Sequence, residues 1–294
     1  MTRRIAGGIA GGVLFCSVMY AGCVGFLWAN ETRIVFRSHI SHAAASAWMP
    51  GGMELIEIVA ADGQKLETLR LDAGDPAAPW IVFFHGSGHS IRNPRVQGQL
   101  DQLRALGYNV LAPEYRGFGR NEGTPSESGL YEDARAAYRY LTVERRVSPS
   151  GIVLAGRSLG SAVAVETASR LPSAGVLLFS PIDSIPLMGS RMYPWVPVSL
   201  LASSRFDSLG KIGRVRAPVV VVHSPSDRWV PMAAARELFA RAGGPKVMIE
   251  TTGGHNRAGF DNVDELRAAL SAFWPTTAVD DSESGGWHGP RASH

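Results

Sequence analysis

Cysteine is nearly absent from this chain. Of 294 residues only Cys16 and Cys23 are cysteines, and both lie in an apolar N-terminal stretch. The folded remainder therefore has no disulfide and no thiolate metal site, and it needs no particular redox compartment. An excess of charge of one sign is missing too. Lysine and arginine total 29 against 26 aspartates and glutamates, and the basic residues are scattered. Nucleic-acid binding needs a concentrated basic face, so that class of function is excluded. No internal repeat is visible. The length admits one large α/β domain with a sizeable core, or two small ones.

What is present begins with Gly156-Arg157-Ser158-Leu159-Gly160. The apolar run Ile152 to Ala155 before it reads as a buried strand, and the Ala/Val-rich segment to Arg170 after it reads as a helix. Gly-x-Ser-x-Gly between strand and helix is a nucleophile elbow. The turn is so tight that flanking side chains have no room, and the serine is strained with its hydroxyl exposed at the helix N-terminus. There the free N–H groups and the helix dipole favour negative charge developing on a substrate.

Taken in order, the chain opens with Arg3 and Arg4, then runs from Ile5 to Trp28 without a charge. Some two dozen helical residues reach about 36 Å, enough for a hydrocarbon core of about 30 Å. The pairs Gly7-Gly8 and Gly11-Gly12 suit a membrane span, and Trp28 suits its interface. Arg3 and Arg4 favour a cytoplasmic N-terminus with the rest of the chain on the far side, although Arg33 and Arg37 weaken that bias. An uncleaved anchor is the leading reading. A cleaved signal peptide is a second, and lipidation at Cys23, in Ala21-Gly22-Cys23, is a third.

Residues 30–52 read as a connector. Glu54 to Ala60 and Lys65 to Leu71 then alternate apolar with polar around Asp62-Gly63, as a hairpin with one wet face does. Trp80 to Phe84 is continuously apolar, the pattern of a central parallel strand. Helical and strand patterns alternate from there: helix Arg95 to Leu106, strand Tyr108 to Ala112, helix Gly129 to Arg145, the elbow, and strand Val176 to Phe179. After a break come strand Pro218 to His223, helix Met232 to Ala242, strand Lys246 to Glu250 and helix Val263 to Trp274. The break, about 184–211, is rich in proline and aromatic residues and reads as a small cap over the site. The alternation predicts a mostly parallel sheet with helices on both faces, and ligands in such sheets bind at the strands' carboxyl ends. Residues 276–294 are polar, rich in Gly and Ser, and read as disordered.

A serine nucleophile needs a base, and the base needs an acid to hold its tautomer. The order in such a sheet is Ser, acid, His. Asp227, in the loop after the strand ending at His223, is the leading acid, with Asp183 as its rival. His255, in Thr251-Thr252-Gly253-Gly254-His255-Asn256, is the leading base. His223 reads as a core or hydrogen-bonding residue, and His85 as a brace for its own loop. Two N–H donors must face the oxyanion. Leu159, after the nucleophile, supplies one. The loop His85-Gly86-Ser87-Gly88-His89 supplies the other, from Ser87 or, second to it, Gly88.

From about Glu54 to Trp274 the chain resembles the α/β-hydrolase superfamily, and within it the membrane-anchored α/β-hydrolase-domain serine hydrolases. The resemblance rests on His85-Gly86, Tyr115-Arg116-Gly117-Phe118-Gly119 with Glu122-Gly123, the elbow, Tyr193-Pro194-Trp195, Arg205-Phe206-Asp207-Ser208-Leu209, and Asp227 to Pro231. It implies an α/β-hydrolase fold, a Ser158–Asp227–His255 triad, no cofactor or metal, a membrane anchor, and hydrolysis of acyl esters or thioesters. This chain has Ser87 where relatives often carry Asn, Ser224 where they carry Gly, and Glu114 where they carry Asp.

The organisation expected is an anchor at 1–29, a connector at 30–52, a hydrolase domain at 53–275 and a tail at 276–294. The expected partners are a small-molecule or lipid acyl substrate and the membrane, with the catalytic domain on the non-cytoplasmic side of a bacterial inner membrane. A serine peptidase or amidase of the same fold, and a catalytically silent membrane-tethered binding protein, are the alternatives. A serine at the elbow argues against dehalogenase or epoxide-hydrolase chemistry, which begins with a carboxylate in this fold.

Overall fold

The computed structural model describes residues 2–44, 51–261 and 263–276. Almost all of the expected tail, and the Met49-Pro50 end of the expected connector, lie outside them.

An apolar helix, α1 (Thr2–Ala29), leads into two short ones, α2 (Glu31–Phe36) and α3 (Ser38–Ala44). The hairpin β1 (Met53–Val59) and β2 (Lys65–Leu71) follows. Next come β3 (Trp80–Phe84), α4 (Pro94–Ala105), β4 (Asn109–Pro113) and α5 (Glu127–Arg139). The centre of the chain is β5 (Ile152–Arg157), α6 (Leu159–Arg170) and β6 (Gly175–Phe179). The cap region holds α7 (Ile185–Met192), α8 (Val198–Leu201) and α9 (Ser208–Lys211). The last described elements are β7 (Val219–His223), α10 (Met232–Arg241), β8 (Lys246–Glu250) and α11 (Val263–Phe273).

Among the described residues eight strands form one sheet in the order β1-β2-β4-β3-β5-β6-β7-β8. Only the β1–β2 and β2–β4 pairs are antiparallel. The strands from β3 to β7 read as unbroken apolar runs because both faces are covered. Val82, Leu154, Val176 and Val221 pack on the side of α5 and α6. Their neighbours Ile81, Val153, Leu177 and Val220 pack on the side of α4 and α11, against Leu100, Leu266 and Trp274. Side chains alternate in direction along a strand, so the two clusters interleave residue by residue.

From β3 the chain moves outward to β4, then returns across β3 to β5 and continues the other way to β8. The β3–β5 boundary is thus where strand order reverses, and the crevice outside the carboxyl ends opens there. Ser158 and the His85–His89 loop flank that crevice.

The stretch expected as a plain connector is structured up to Ala44. Phe36 is fully buried and packs edge-on against Phe206, with ring centroids 5.9 Å apart. The Glu31 carboxylate accepts from the Ser203 and Ser204 amides and the Ser203 hydroxyl. The Ser41 hydroxyl accepts from the Gly119 amide at 3.1 Å. The segment is part of the domain's packing rather than a tether leading to it.

Candidate active site

β5 ends at Arg157 and α6 starts at Leu159, leaving Ser158 between them at φ 51°, ψ −119°. No intrinsic preference of serine supports that conformation, so its surroundings impose it. Glycines make room for it: a Cβ on Gly156 would strike the Gly160 backbone, and one on Gly160 would strike the Phe84 carbonyl. The Ser158 amide donates to the Phe179 carbonyl at 3.0 Å, which ties the elbow to β6.

His255 Nε2 lies 2.9 Å from Ser158 Oγ, and His255 Nδ1 lies 2.7 Å from Asp227 Oδ2. The second Asp227 oxygen accepts from the Trp229 and Val230 amides at 2.8 and 3.0 Å. Burial raises the pKa of this carboxyl, but the hydrogen bonds from His255 and from those amides outweigh it and hold it below the usual aspartate value. The carboxylate side chain is inaccessible, while His255 keeps 12% of its side chain open to the crevice. A charged acid behind a partly open histidine is the arrangement a proton shuttle needs.

Two residues outside the sequence-level candidates hold the histidine loop. Arg157 is buried and donates to the His255 carbonyl at 2.8 Å and the Ala258 carbonyl at 3.1 Å. Its guanidinium sits 5.3 and 5.2 Å from the Phe179 and Phe260 ring centres, and burial pulls its pKa down to about 9. The Ser180 hydroxyl donates to the same His255 carbonyl at 3.0 Å. A charge at the end of an otherwise apolar strand is a readable signal for Arg157; Ser180 carries none.

The other histidines and the rival acid are engaged elsewhere. Asp183 forms a two-pronged pair with Arg191 at 2.8 and 2.9 Å. His223 is buried with Nε2 3.0 Å from the Val230 carbonyl, and burial holds its pKa below the ordinary histidine value. His85 lies behind the crevice, its Nε2 2.8 Å from Glu114 Oε1. The other Glu114 oxygen accepts from the Ser90 hydroxyl and the Ile91 amide. His89 lines the crevice, where burial and the neighbouring His85 push its pKa down to about 3 and keep its ring neutral.

The loop after β3 reaches the serine closely, since a Cβ on Gly86 would lie 3.3 Å from Ser158 Cβ. The Gly88 amide is taken by the Phe36 carbonyl at 3.0 Å. Of the two donors left open by the sequence, Gly88 thus has its amide engaged away from the serine. Among the described residues neither the Ser87 nor the Leu159 amide has an acceptor. The Ser87 side chain turns away, its hydroxyl 2.8 Å from the Val35 carbonyl and 3.1 Å from that of Phe36.

Ser158 and His255 open into a cavity of about 300 Å³ whose walls include Ile34, Val35, Ile182, Met188, Tyr193 and Trp229. Such a wall desolvates an apolar group and leaves only the serine, the histidine and the loop amides to orient it. Among the described residues no three His, Cys, Asp or Glu side chains converge as a metal site.

A model of the Alpha/beta hydrolase family matches residues 81–211, from β3 through the cap. An uncharacterized protein of Mycobacterium tuberculosis is 33% identical over 270 residues, covering 91% of this chain and 95% of its own length. The human alpha/beta hydrolase domain-containing protein 17B is 24% identical over 239 residues, 78% of this chain and 80% of that protein. A solved esterase from Pyrococcus furiosus superposes with a TM-score of 0.63 at 21% identity, covering 78% of this chain and 93% of that one.

Proposed function

This chain belongs to the alpha/beta hydrolase family, and from that premise we propose that it is a membrane-anchored serine hydrolase of apolar acyl esters or thioesters. The carrying observation is the unbroken chain from Ser158 Oγ through His255 to Asp227, at 2.9 and 2.7 Å, opening on an apolar cavity. Likeness to solved esterases supports the fold that this chemistry uses.

In the proposed mechanism His255 takes the Ser158 proton as Oγ attacks the acyl carbonyl. The charge forming on oxygen is met by the amides of Leu159 and Ser87, a donor pair whose members are each worth about 3 kcal/mol in comparable sites. Asp227 holds His255 in the tautomer with its proton on Nδ1 and stabilises the imidazolium. His255 then protonates the leaving alkoxide or thiolate, and a water deprotonated by His255 releases the acid from Ser158. The apolar helix Gly11–Ala29 is long enough to cross a membrane, and in this reading it stays attached as the anchor.

The test is fluorophosphonate labelling of membrane fractions from the intact chain, Ser158→Ala and His255→Ala. Labelling of the intact chain alone is expected, followed by turnover of p-nitrophenyl esters graded in acyl length. A folded chain that never labels overturns the mechanism.

A further inference from the structure

The cap carries a feature that hydrolysis does not require. Between Arg191 and Arg205 there is no charged side chain. Two large apolar residues in that stretch face outward, Trp195 at 51% and Leu200 at 83% exposure. Met192, just after Arg191, is also exposed. Exposed apolar residues in a stretch without charge mark a contact with something apolar.

What that is follows from α1. The Tyr20 hydroxyl donates to the Trp195 carbonyl at 2.9 Å, and the two rings meet edge-on at 6.2 Å. Tyr20 lies well inside the apolar helix, about 13 Å along the axis from its end at Ala29. A bilayer leaflet contributes only about 15 Å of hydrocarbon. A helix that spans the membrane up to Ala29 therefore carries the cap into the leaflet with it. Drawing the helix out of lipid at Tyr20 would instead leave Phe26 and Trp28, 66% and 62% exposed, in water.

The cap's backbone is prepared for such a setting, since unpaired amides are costly in lipid. The amides of Val196, Val198, Leu200, Leu201 and Ala202 all donate within the cap, and Pro194 and Pro197 have none to satisfy. A groove between the helix residues Val24, Leu27 and Trp28 and the cap residues Val196, Val198 and Leu201 lies next to the catalytic cavity. The two share Ile34, Val35, Ile185 and Tyr193 as walls.

We infer that the cap docks into the leaflet that α1 enters, with Trp195 and Leu200 among the acyl chains, and that the catalytic cavity takes its acyl group directly from the bilayer. The partner is a lipid surface. Exposed Arg205, whose Nη1 donates to the Ser199 carbonyl at 2.9 Å, suits an anionic headgroup at the edge of the stretch. The inference rests on the anchored-hydrolase reading above and adds the route by which substrate arrives.

The experiment uses the full chain in phosphatidylcholine vesicles, with Cys16→Ser and Cys23→Ser removing the native thiols. Leu200→Cys carries an environment-sensitive fluorophore, and Val143→Cys, on an exposed residue outside the cap, is the aqueous control. Lipid-borne nitroxides are expected to quench the probe at 200 and aqueous iodide the one at 143. Quenching at 200 by iodide but not by nitroxide lipid overturns the inference. In parallel, Leu200→Asp is expected to cut turnover of a long-chain ester embedded in vesicles by about tenfold or more, with p-nitrophenyl acetate turnover and fluorophosphonate labelling kept within about twofold. Equal loss on both substrates, or on neither, also overturns it. Absence of labelling in the parent chain sinks the hydrolase reading alone, because the quenching result is read without activity.

Discussion

The two halves of the site that meet at Ser158 are held by different means. The proposed proton-transfer half hangs from the carboxyl ends of parallel strands on one side of the sheet: Ser158 after β5, Asp227 after β7, His255 after β8. Its braces are Arg157, Ser180 and the amides of the Asp227 loop, all within the sheet or the turns that leave it. The proposed oxyanion half pairs the Leu159 amide after β5 with the loop after β3, and that loop is fastened outward, to the carbonyls of Val35 and Phe36 some fifty residues earlier. The first half is braced by the sheet and its turns. The second also leans on the segment after α1, so the seating of that segment and the loop after β3 are physically joined.

The largest break in this comparison comes from Asp227→Asn. The substitution keeps shape but removes the charge and permits the wrong His255 tautomer, so kcat is expected to fall about 10⁴-fold. The oxyanion half is untouched, and KM for a short ester should change little. Rates of ester turnover at saturating substrate measure this. A fall of less than tenfold would mean that the acid half is not organised by Asp227.

A smaller effect tests the other half. Ser87→Ala keeps the backbone amide and removes only the hydroxyl that grips Val35 and Phe36. Losing one such hydrogen bond, worth about 1 kcal/mol, is expected to lower kcat by up to about fivefold at nearly constant KM. Ser87→Thr retains the hydroxyl and should recover most of the rate. If both variants match the parent, the loop is held by the Gly88–Phe36 bond alone, and the two halves differ less than their contacts suggest.

The contrast also explains what can be read from the sequence. The strand–helix alternation, the parallel sheet and the elbow are written in local pattern: apolar runs where both sheet faces are covered, glycines where Gly156 and Gly160 touch backbone. Asp227 and His255 are legible because the order of strand-end loops follows the order of the chain. The brace at Val35 and Phe36 is not. It works through carbonyl oxygens, which any residue supplies, and Glu31-Thr32-Arg33-Ile34-Val35-Phe36 has no pattern that distinguishes a docked helix from a linker. The partners that mark the difference, Phe206 for the buried Phe36 and Ser203 and Ser204 for Glu31, lie far along the chain.

Glu31 offers the finest adjustment of the comparison, because it fastens the same segment at its other end. Burial raises the pKa of its carboxyl, but the Ser203 and Ser204 amides and hydroxyls outweigh that and hold it below the ordinary glutamate value of 4.5. A carboxyl whose pKa is lower in the folded state stabilises the fold above its unfolded value and loses that contribution as pH falls through the folded one. Glu31→Gln keeps an acceptor oxygen and loses the charge, at a cost below about 1 kcal/mol because the site is partly solvent-screened. Thermal unfolding of the full chain in vesicles should show a small deficit at pH 7 that shrinks as pH falls below 4.5. The deficit should be accompanied by a slight loss of kcat, since a looser α2 loosens Ser87. A deficit in stability with no change in kcat would separate the Glu31 end of α2 from the loop, leaving the Val35–Phe36 end to hold Ser87 and Gly88 without it.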